Sequence, residues 1–270
     1  MTWSELKSVN VDGMVLECAT WGPSPTEAPT LVLLHEGLGC VELWRDFPAQ
    51  IAADTGLGVL AFSRAGYGQS DPATLPRQLD YMTREANTVL PQVLDEAGIG
   101  RCILVGHSDG ATIAAIYAGS AVDARVRGLV LMAPHFFTEG MGLMAIAKAK
   151  DAFDTGDLAT RMAPYHQDPE ATFRGWNDAW LAPIFKDWDV SEVIDYLRVP
   201  SLVIQGHDDQ YGTSAQIDEL ATRSYAPVEV AMLENCRHSP HLDQAEKTRH
   251  LIADFVSRLE RIERSEVRVA

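Results

Sequence analysis

A serine at position 108 stands where a hydroxyl group could act as a nucleophile. The stretch GHSDG, residues 106–110, ends the apolar run 102–105 and is followed at once by small and apolar residues with helical spacing. A chain that passes from strand to helix within one residue holds that residue in a sparsely populated backbone conformation. Gly106 and Gly110 leave room for such a turn, so the pattern predicts a nucleophile elbow with Ser108 at its apex.

A serine hydroxyl becomes a good nucleophile only when a base accepts its proton and a third group fixes the tautomer of that base. The sequence offers two candidates for each partner. Asp208 and Asp209 follow the apolar run 201–206, and His238 and His241 lie in the loop before the last helical pattern. The spacing is compatible with a catalytic triad and leaves the choice within each pair open.

Two other roles are open for these residues. Ser108 could be no more than the N-cap of the following helix, since serine is a common cap. Asp209, His238 and His241 could bind a metal ion, because a carboxylate and two histidines are ordinary zinc ligands. The elbow accounts for the acid and the base without a metal. We therefore expect neither a metal site nor a cofactor.

The scaffold for these residues is predicted by short, nearly continuous apolar runs, which are typical of strands buried on both faces of a parallel sheet. The runs are residues 30–35, 58–63, 101–106, 127–133, 201–206 and 228–234. Helical patterns lie between or after them at 43–53, 79–97, 111–121, 213–224 and 242–262. The alternation predicts an α/β fold with a mostly parallel central sheet flanked by helices. Asp12 and Gly13, between two alternating runs, predict a hairpin before it.

One interval interrupts the alternation of strands and helices. Residues 135–197 contain no convincing strand and are rich in aromatic residues and methionine. A gap of roughly 60 residues is too long for a plain connection. The sequence therefore predicts a core domain at 1–134 and 198–270, with a helical cap, or lid, inserted at 135–197.

The aromatic residues of the predicted cap have two possible roles. They could pack the cap onto the sheet, or they could line a substrate pocket. Phe136 and Phe137 are candidate pocket residues because they follow a predicted strand close to the elbow. Trp176 and Trp180 are candidates because residues four apart share one face of a helix.

Composition limits the partners of this chain. It has 270 residues, and a formal net charge of −16 argues against nucleic acid or an anionic membrane as a partner, because both attract basic surfaces. The four cysteines form no CxxC pair, so we expect reduced thiols and a cytoplasmic location. The first residues lack the apolar segment of a signal peptide. No stretch approaches the ~20 apolar residues of a membrane span, and the oligomeric state is open.

Motifs spread along the chain resemble those of the α/β-hydrolase superfamily. They are the loop LLHEGLG, the loop SRAGYGQSD, the elbow GHSDG, and GHDDQYGT paired with RHSPHLDQ. The order Ser, Asp, His along the chain is also the order of that superfamily. The resemblance runs from the hairpin to the closing helix and implies Ser108 as nucleophile, Asp209 as acid and His238 as base. The chain departs from the usual pattern at Arg237, where a glycine commonly precedes the histidine.

The resemblance also implies an oxyanion hole made of two backbone N–H groups. One is expected from Asp109, whose side chain should favour the helix N-terminus through its charge. The other is expected from the turn HEGLG, where the superfamily usually has His-Gly and this chain has His-Glu-Gly. Gly37 is the first choice, Leu38 is the second, and Glu36 stays open.

These residues together predict a serine hydrolase that cleaves a carboxylic ester or related small acyl compound through an acyl-enzyme. Ser108 at the elbow argues against dehalogenases and epoxide hydrolases, whose relatives have an aspartate there. Carbon–carbon bond hydrolases, lactonases, thioesterases, perhydrolases and acyltransferases share the triad and are alternatives. A non-catalytic, hydrolase-like receptor is an alternative from a different class.

Overall fold

The computed structural model describes residues 2–266, which form a single eight-stranded sheet with helices on both faces. Its strands are β1 (Ser8–Val11), β2 (Met14–Trp21), β3 (Thr30–Leu34), β4 (Gly58–Phe62), β5 (Cys102–His107), β6 (Val126–Met132), β7 (Ser201–Gly206) and β8 (Val228–Leu233). The order across the sheet is β1-β2-β4-β3-β5-β6-β7-β8. Only the pairs β1–β2 and β2–β4 are antiparallel. The predicted mostly parallel sheet is thus confirmed.

The antiparallel end of the sheet begins with the predicted hairpin. Val11 pairs with Met14, so the turn between β1 and β2 has two residues. These are Asp12 (φ 51°) and Gly13 (φ 84°), both in the left-handed region. Asp-Gly suits such a turn because both central residues of a type I′ turn need positive φ.

The interior strands are buried on both faces, which is why the sequence shows them as continuous apolar runs. In β3, Leu31 and Leu33 pack on one side of the sheet, whereas Val32 and Leu34 pack on the other. This follows from the alternation of side chains along a strand. A polar residue at any of these positions would lie in a hydrophobic core.

The helices lie against these two faces. They are α1 (Phe47–Thr55), α2 (Tyr81–Arg84), α3 (Leu90–Glu96), α4 (Asp109–Ser120), α5 (Gly140–Asp154), α6 (Leu158–Met162), α7 (Pro169–Trp180), α8 (Ser214–Arg223), α9 (Pro240–Asp243) and α10 (Ala245–Glu266). Helices α1 and α10 cover one face, and α3, α4 and α8 cover the other. The single helix predicted over 79–97 contains a π-helical turn at Glu85–Val89 between α2 and α3.

The interval between β6 and β7 holds α5, α6 and α7, here called the α5–α7 segment (residues 140–180), followed by two 3₁₀ turns. Between β6 and β7, the described residues form one isolated β-bridge, which joins Phe137 to Asp189. Helix α7 begins where Asp168 caps it, accepting a hydrogen bond from the Ala171 N–H at 2.9 Å. The division of the chain into a core domain and a cap stays a prediction.

Two further features concern the environment of the chain. No helix within residues 2–266 is long and apolar enough to cross a membrane. All four cysteines are buried and unpaired.

Candidate active site

The predicted elbow joins β5 to α4 with Ser108 at its apex. The backbone of Ser108 has φ 53° and ψ −118°, a strained conformation for a residue with a side chain. A Cβ added at Gly106 would lie 2.3 Å from the carbonyl oxygen of Gly110, and one at Gly110 would lie 2.0 Å from that of Leu34. Both positions therefore require glycine, and the turn holds the serine hydroxyl at the edge of the sheet.

Three loops at this edge bring Ser108, His238 and Asp209 into one hydrogen-bonded row. The Nε2 atom of His238 lies 2.9 Å from the Oγ of Ser108. The Nδ1 atom of the same ring lies 2.9 Å from each carboxylate oxygen of Asp209. A proton on Nδ1 is therefore donated to the carboxylate, which leaves Nε2 free to accept the serine proton.

Asp209 is held as an anion by its neighbours. Burial acts to raise the pKa of its carboxyl, but it is outweighed by the hydrogen bond and charge of His238 together with the N–H of Tyr211, which donates to Oδ1 at 2.8 Å. The pKa of Asp209 thus lies below its usual range. A second donor, the Gln205 amide, lies 3.2 Å from Oδ2. An ionised carboxylate here can stabilise a protonated His238.

The alternative triad members lie elsewhere. Asp208 is exposed, and its N–H donates to the carbonyl oxygen of Cys236 at 2.9 Å. His241 is buried against Trp44, with ring centroids 4.9 Å apart. The described residues contain no group of three histidine, cysteine, aspartate or glutamate side chains arranged to hold a metal ion.

Three buried histidines surround the ring of His238. The Nε2–H of His107 donates to the carbonyl oxygen of His238 at 2.7 Å, and the His135 ring lies 5.6 Å from the His238 ring. Burial, followed by the nearby His238, lowers the pKa of His135 to about 4 and that of His241 to about 3. Burial also holds the pKa of His107 well below its usual range. These three imidazoles are neutral at pH 7.

Among the candidate oxyanion donors, the backbone N–H groups of Gly37, Asp109 and Glu36 have no acceptor within residues 2–266, and all three residues line the same cavity as the serine. The N–H of Leu38 is already engaged, since it donates to the carboxylate of Glu36 at 2.5 Å. The structure therefore disfavours Leu38 as a donor, whereas the N–H groups of Gly37 and Asp109 are free to bind a negatively charged oxygen and Glu36 stays an alternative to Gly37.

Arg64, from the motif SRAGYGQSD, holds the turn that carries Gly37. Its guanidinium donates to the carbonyl oxygens of His35 (2.6 Å) and Glu36 (3.1 Å), and its N–H donates to the His35 ring at 3.0 Å. The buried guanidinium of Arg64 thus holds the turn in place. Burial also raises the pKa of the Glu36 carboxyl, which belongs to this turn.

The side chain of Asp109 points into the protein and joins a buried polar chain that the sequence did not predict. The hydroxyl of Tyr81 donates to Asp109 Oδ2 at 2.5 Å, and the indole N–H of Trp180 donates to the Tyr81 hydroxyl at 3.0 Å. Arg64 lies 3.9 Å from the same carboxylate. Asp109 therefore links the α5–α7 segment to the elbow and does more than cap α4.

The cavity over Ser108 has a mainly apolar wall. Its apolar and aromatic lining comes from Leu38, Ile146, Trp176, Trp180 and Tyr211, and its acidic lining residues are Glu36, Asp109 and Glu139. No lysine or arginine is among the described residues that line it. The carboxylate of Glu139 accepts hydrogen bonds from Thr213 and Gln216.

Two of the four candidate pocket residues lie in this cavity, and two do not. Trp176 and Trp180 line it. Phe136 is fully buried, and its N–H donates to the side chain of Gln216 at 2.7 Å. Phe137 is half-buried and packs against the same hydrophobic cluster, and neither phenylalanine is among the residues that line the cavity. His135, the lining residue directly before them, also follows the end of β6, a signal that sequence reasoning missed.

Comparison with known proteins adds the following relationships. A sequence profile described as the alpha/beta hydrolase fold matches residues 29–196. Epoxide hydrolase B of Mycobacterium tuberculosis is 27% identical over 229 residues, which are 82% of this chain and 60% of that protein. The chain thus spans about 60% of the length of that relative.

Other relatives carry different activities in their names. The 2-hydroxy-6-oxo-6-phenylhexa-2,4-dienoate hydrolase of Comamonas testosteroni is 23% identical over 258 residues, covering 85% of this chain and 88% of that one. The crystal structure of the enol-lactonase from Burkholderia xenovorans LB400 superimposes with a TM-score of 0.72 at 21% identity, over 93% of this chain and 99% of that one. These similarities concern the fold and leave the substrate undetermined.

Proposed function

The chain belongs to the α/β-hydrolase fold family, and from this premise we propose that it is a serine hydrolase that cleaves carboxylic esters. Hydrolysis is common to the named relatives, whereas the ester bond and the residue roles are our proposal. The observation that carries it is the hydrogen-bonded row from Ser108 through His238 to Asp209, with 2.9 Å at each step.

In the proposed reaction, the Oγ of Ser108 attacks the ester carbonyl carbon while Nε2 of His238 accepts the hydroxyl proton. The tetrahedral intermediate collapses, the carbon–oxygen bond to the alcohol breaks, and His238 gives its proton to the departing oxygen. Water then transfers a proton to His238 and attacks the acyl-enzyme, which releases the acid and restores the serine. Asp209 stabilises the protonated ring in both halves of the reaction.

The negative charge of each tetrahedral intermediate is assigned to the N–H groups of Gly37 and Asp109. Both lack a protein acceptor and line the cavity with Ser108. Backbone donors already aimed at the developing charge lower the barrier, because no reorganisation is needed during the reaction.

Two features favour a neutral ester over the substrates named for the relatives. The nucleophile position holds Ser108, where epoxide hydrolases of this superfamily have an aspartate. A dienoate carries a carboxylate, and the described cavity lining offers it Glu36 and Glu139 but no lysine or arginine. An anionic substrate would therefore be repelled in a site of low dielectric constant.

The α5–α7 segment is proposed to act as the predicted cap over the serine. Ile146 of α5, with Trp176 and Trp180 of α7, contributes the apolar wall of the cavity. Apolar walls with few polar groups are typical of sites for small organic ligands. A small acyl compound is accordingly the proposed partner.

The proposal is tested by labelling with a fluorophosphonate and by a hydrolysis screen of neutral esters of increasing acyl length. We expect one label per chain, on Ser108, together with ester turnover. The Ser108→Ala variant is the control and should show neither. Absence of labelling in a folded wild-type protein would refute the serine mechanism and favour a receptor. Hydrolysis that survives in the variant would assign the reaction to another site.

A further inference from the structure

Helix α7 presents two indole rings to the active-site cavity, and their N–H groups differ in whether they have a hydrogen-bond acceptor. The N–H of Trp180 donates to the Tyr81 hydroxyl at 3.0 Å. The N–H of Trp176 has no acceptor among residues 2–266, although the residue is only 7% exposed. Buried tryptophan N–H groups usually find a partner, so this donor is a feature to be explained.

The unpartnered N–H lies beside the oxyanion turn. A Cβ added at Gly37 would come within 2.1 Å of Nε1 of Trp176 and within 2.5 Å of its Cδ1. The polar edge of the indole therefore packs on the Cα of Gly37, the residue whose N–H is assigned to the oxyanion. Trp44 has an unpartnered indole nitrogen that is sealed in the interior, but the nitrogen of Trp176 keeps access to the cavity.

Nε1 of Trp176 makes no hydrogen bond to either glutamate of the cavity lining, whose carboxylates accept from other donors. The carboxylate of Glu36 accepts from the Leu38 N–H, and that of Glu139 accepts from Thr213 and Gln216. The indole also makes a T-shaped contact with Phe173, with ring centroids 6.1 Å apart, but a phenyl ring could make such a contact without an N–H group. An acceptor atom of a molecule bound in the cavity would satisfy this donor.

We propose that Trp176 is a specificity-determining residue that donates a hydrogen bond to an oxygen atom on the α-carbon of the acyl group. This inference rests on the proposed ester hydrolysis and names its substrate class: neutral esters of 2-alkoxy, 2-hydroxy or 2-oxo acids. The proposal places the carbonyl oxygen at the Gly37 N–H and the α-substituent, its neighbour in the acyl group, at the indole edge that packs on Gly37. A donor without a protein partner favours substrates that supply an acceptor and disfavours those that do not.

The test compares two p-nitrophenyl esters of nearly equal size, methoxyacetate and butyrate, which differ by one oxygen in place of a methylene group. The measured quantity is the ratio of their kcat/KM values, so intrinsic differences in reactivity cancel between enzyme variants. Trp176→Phe should lower this ratio by about 10-fold, the usual worth of one hydrogen bond. Trp188→Phe makes the same chemical change outside the described cavity lining and should leave the ratio within about two-fold of wild type.

A ratio that Trp176→Phe leaves unchanged, with both rates reduced equally, would overturn the inference and assign Trp176 a packing or general oxyanion role. Thermal unfolding is measured in parallel, and Trp176→Met serves as the second variant if the phenylalanine variant does not fold. Failure of the proposed function has a different signature: the wild-type enzyme would hydrolyse neither ester, and both proposals would fail together.

Discussion

The edge of the sheet and the α5–α7 segment build one cavity by different means. At the sheet edge, backbone geometry places the reactive atoms: Ser108 sits directly after β5 and Asp209 follows β7 by three residues. In the α5–α7 segment, helix faces contribute bulky side chains such as Trp176 and Trp180. The positions of the reactive atoms thus depend on strands that are hydrogen-bonded on both sides. The access of a substrate to these atoms depends on the packing of side chains from the helices.

The two regions also differ in how they are held. The elbow is fixed by glycines that no other residue could replace. The segment packs its apolar side chains into the core cluster on one face of the sheet and adds polar contacts, including Thr172 to the carbonyl oxygen of Gly66 at 2.7 Å and Trp180 to Tyr81 at 3.0 Å. Changes at the sheet edge should therefore remove activity, and changes in the segment should alter selectivity or tune the rate.

The strongest test of this contrast is Ser108→Ala. We expect kcat to fall by about 10⁶-fold, as when a triad nucleophile is removed from a serine protease. The melting temperature should change little, because a small residue replaces another small residue at a turn that is strained in both. Activity within ten-fold of wild type would contradict the assignment of the nucleophile, whatever the stability.

The pair of aspartates after β7 provides an internal comparison. Asp209→Asn should lower kcat by about 10⁴-fold, since the amide favours the wrong tautomer of His238. Asp208→Asn, the matched control at an exposed neighbour, should change the rate only slightly. The two variants are compared by steady-state kinetics on one ester, and the reverse ranking would transfer the acid role to Asp208.

Acid should destabilise the protein through the buried histidines around the triad. An unfolded histidine titrates near pH 6.5, whereas burial lowers the pKa of His241 to about 3 in the folded state. The unfolded chain therefore binds a proton that the folded protein excludes, so the stability present above pH 6.5 is lost as the pH falls toward 3. One such group accounts for about 2 kcal/mol between pH 7 and 5.

The variant His241→Phe isolates this contribution, because phenylalanine suits a site lined by Trp44 and Phe47. Chemical denaturation at pH 7 and pH 5 should show that the variant loses about 2 kcal/mol less than wild type over this interval. Replacement of the exposed His250 by glutamine is the control. Parallel pH dependence in wild type and His241→Phe would mean that His241 already takes up protons in the folded protein.

The smallest predicted effect concerns the contact between the two regions. Tyr81→Phe removes the hydroxyl that joins Trp180 to Asp109. We expect kcat to fall by about 10-fold with KM nearly unchanged, because the Asp109 N–H loses part of its orientation. Tyr117 makes a comparable hydrogen bond to Asp123 near the other end of α4. Tyr117→Phe should therefore affect stability without affecting kcat, and equal kinetic effects would remove the special role of Tyr81.

The sequence was informative wherever a local pattern has one structural solution. The continuous apolar runs form interior strands because both faces of the sheet are covered by helices. The glycines around Ser108 indicated a turn that only glycine permits at those two positions. Spacing alone left Asp208 and Asp209 open, since both follow the same strand by almost the same distance, and only the family resemblance favoured Asp209. The contact of Tyr81 with Asp109 joins residues 28 apart, and no periodicity connects them.

Phe136 shows a second limit of sequence reasoning. Its place after a strand near the elbow was informative about distance but not about direction. In the structure the Phe136 N–H donates to the side-chain oxygen of Gln216, a residue 80 positions away, and Phe136 is fully buried. Such contacts depend on the assembled core and leave no local signal.

The acidic wall of the cavity has a consequence for the end of the catalytic cycle. Ester hydrolysis converts a neutral molecule into an anion at the place where it was bound. Glu36 and Glu139 line that place, and no lysine or arginine is among its described lining residues. A carboxylate bound there would lose its hydration without gaining a cationic partner, so we expect the acid to bind weakly and to inhibit turnover little as it accumulates.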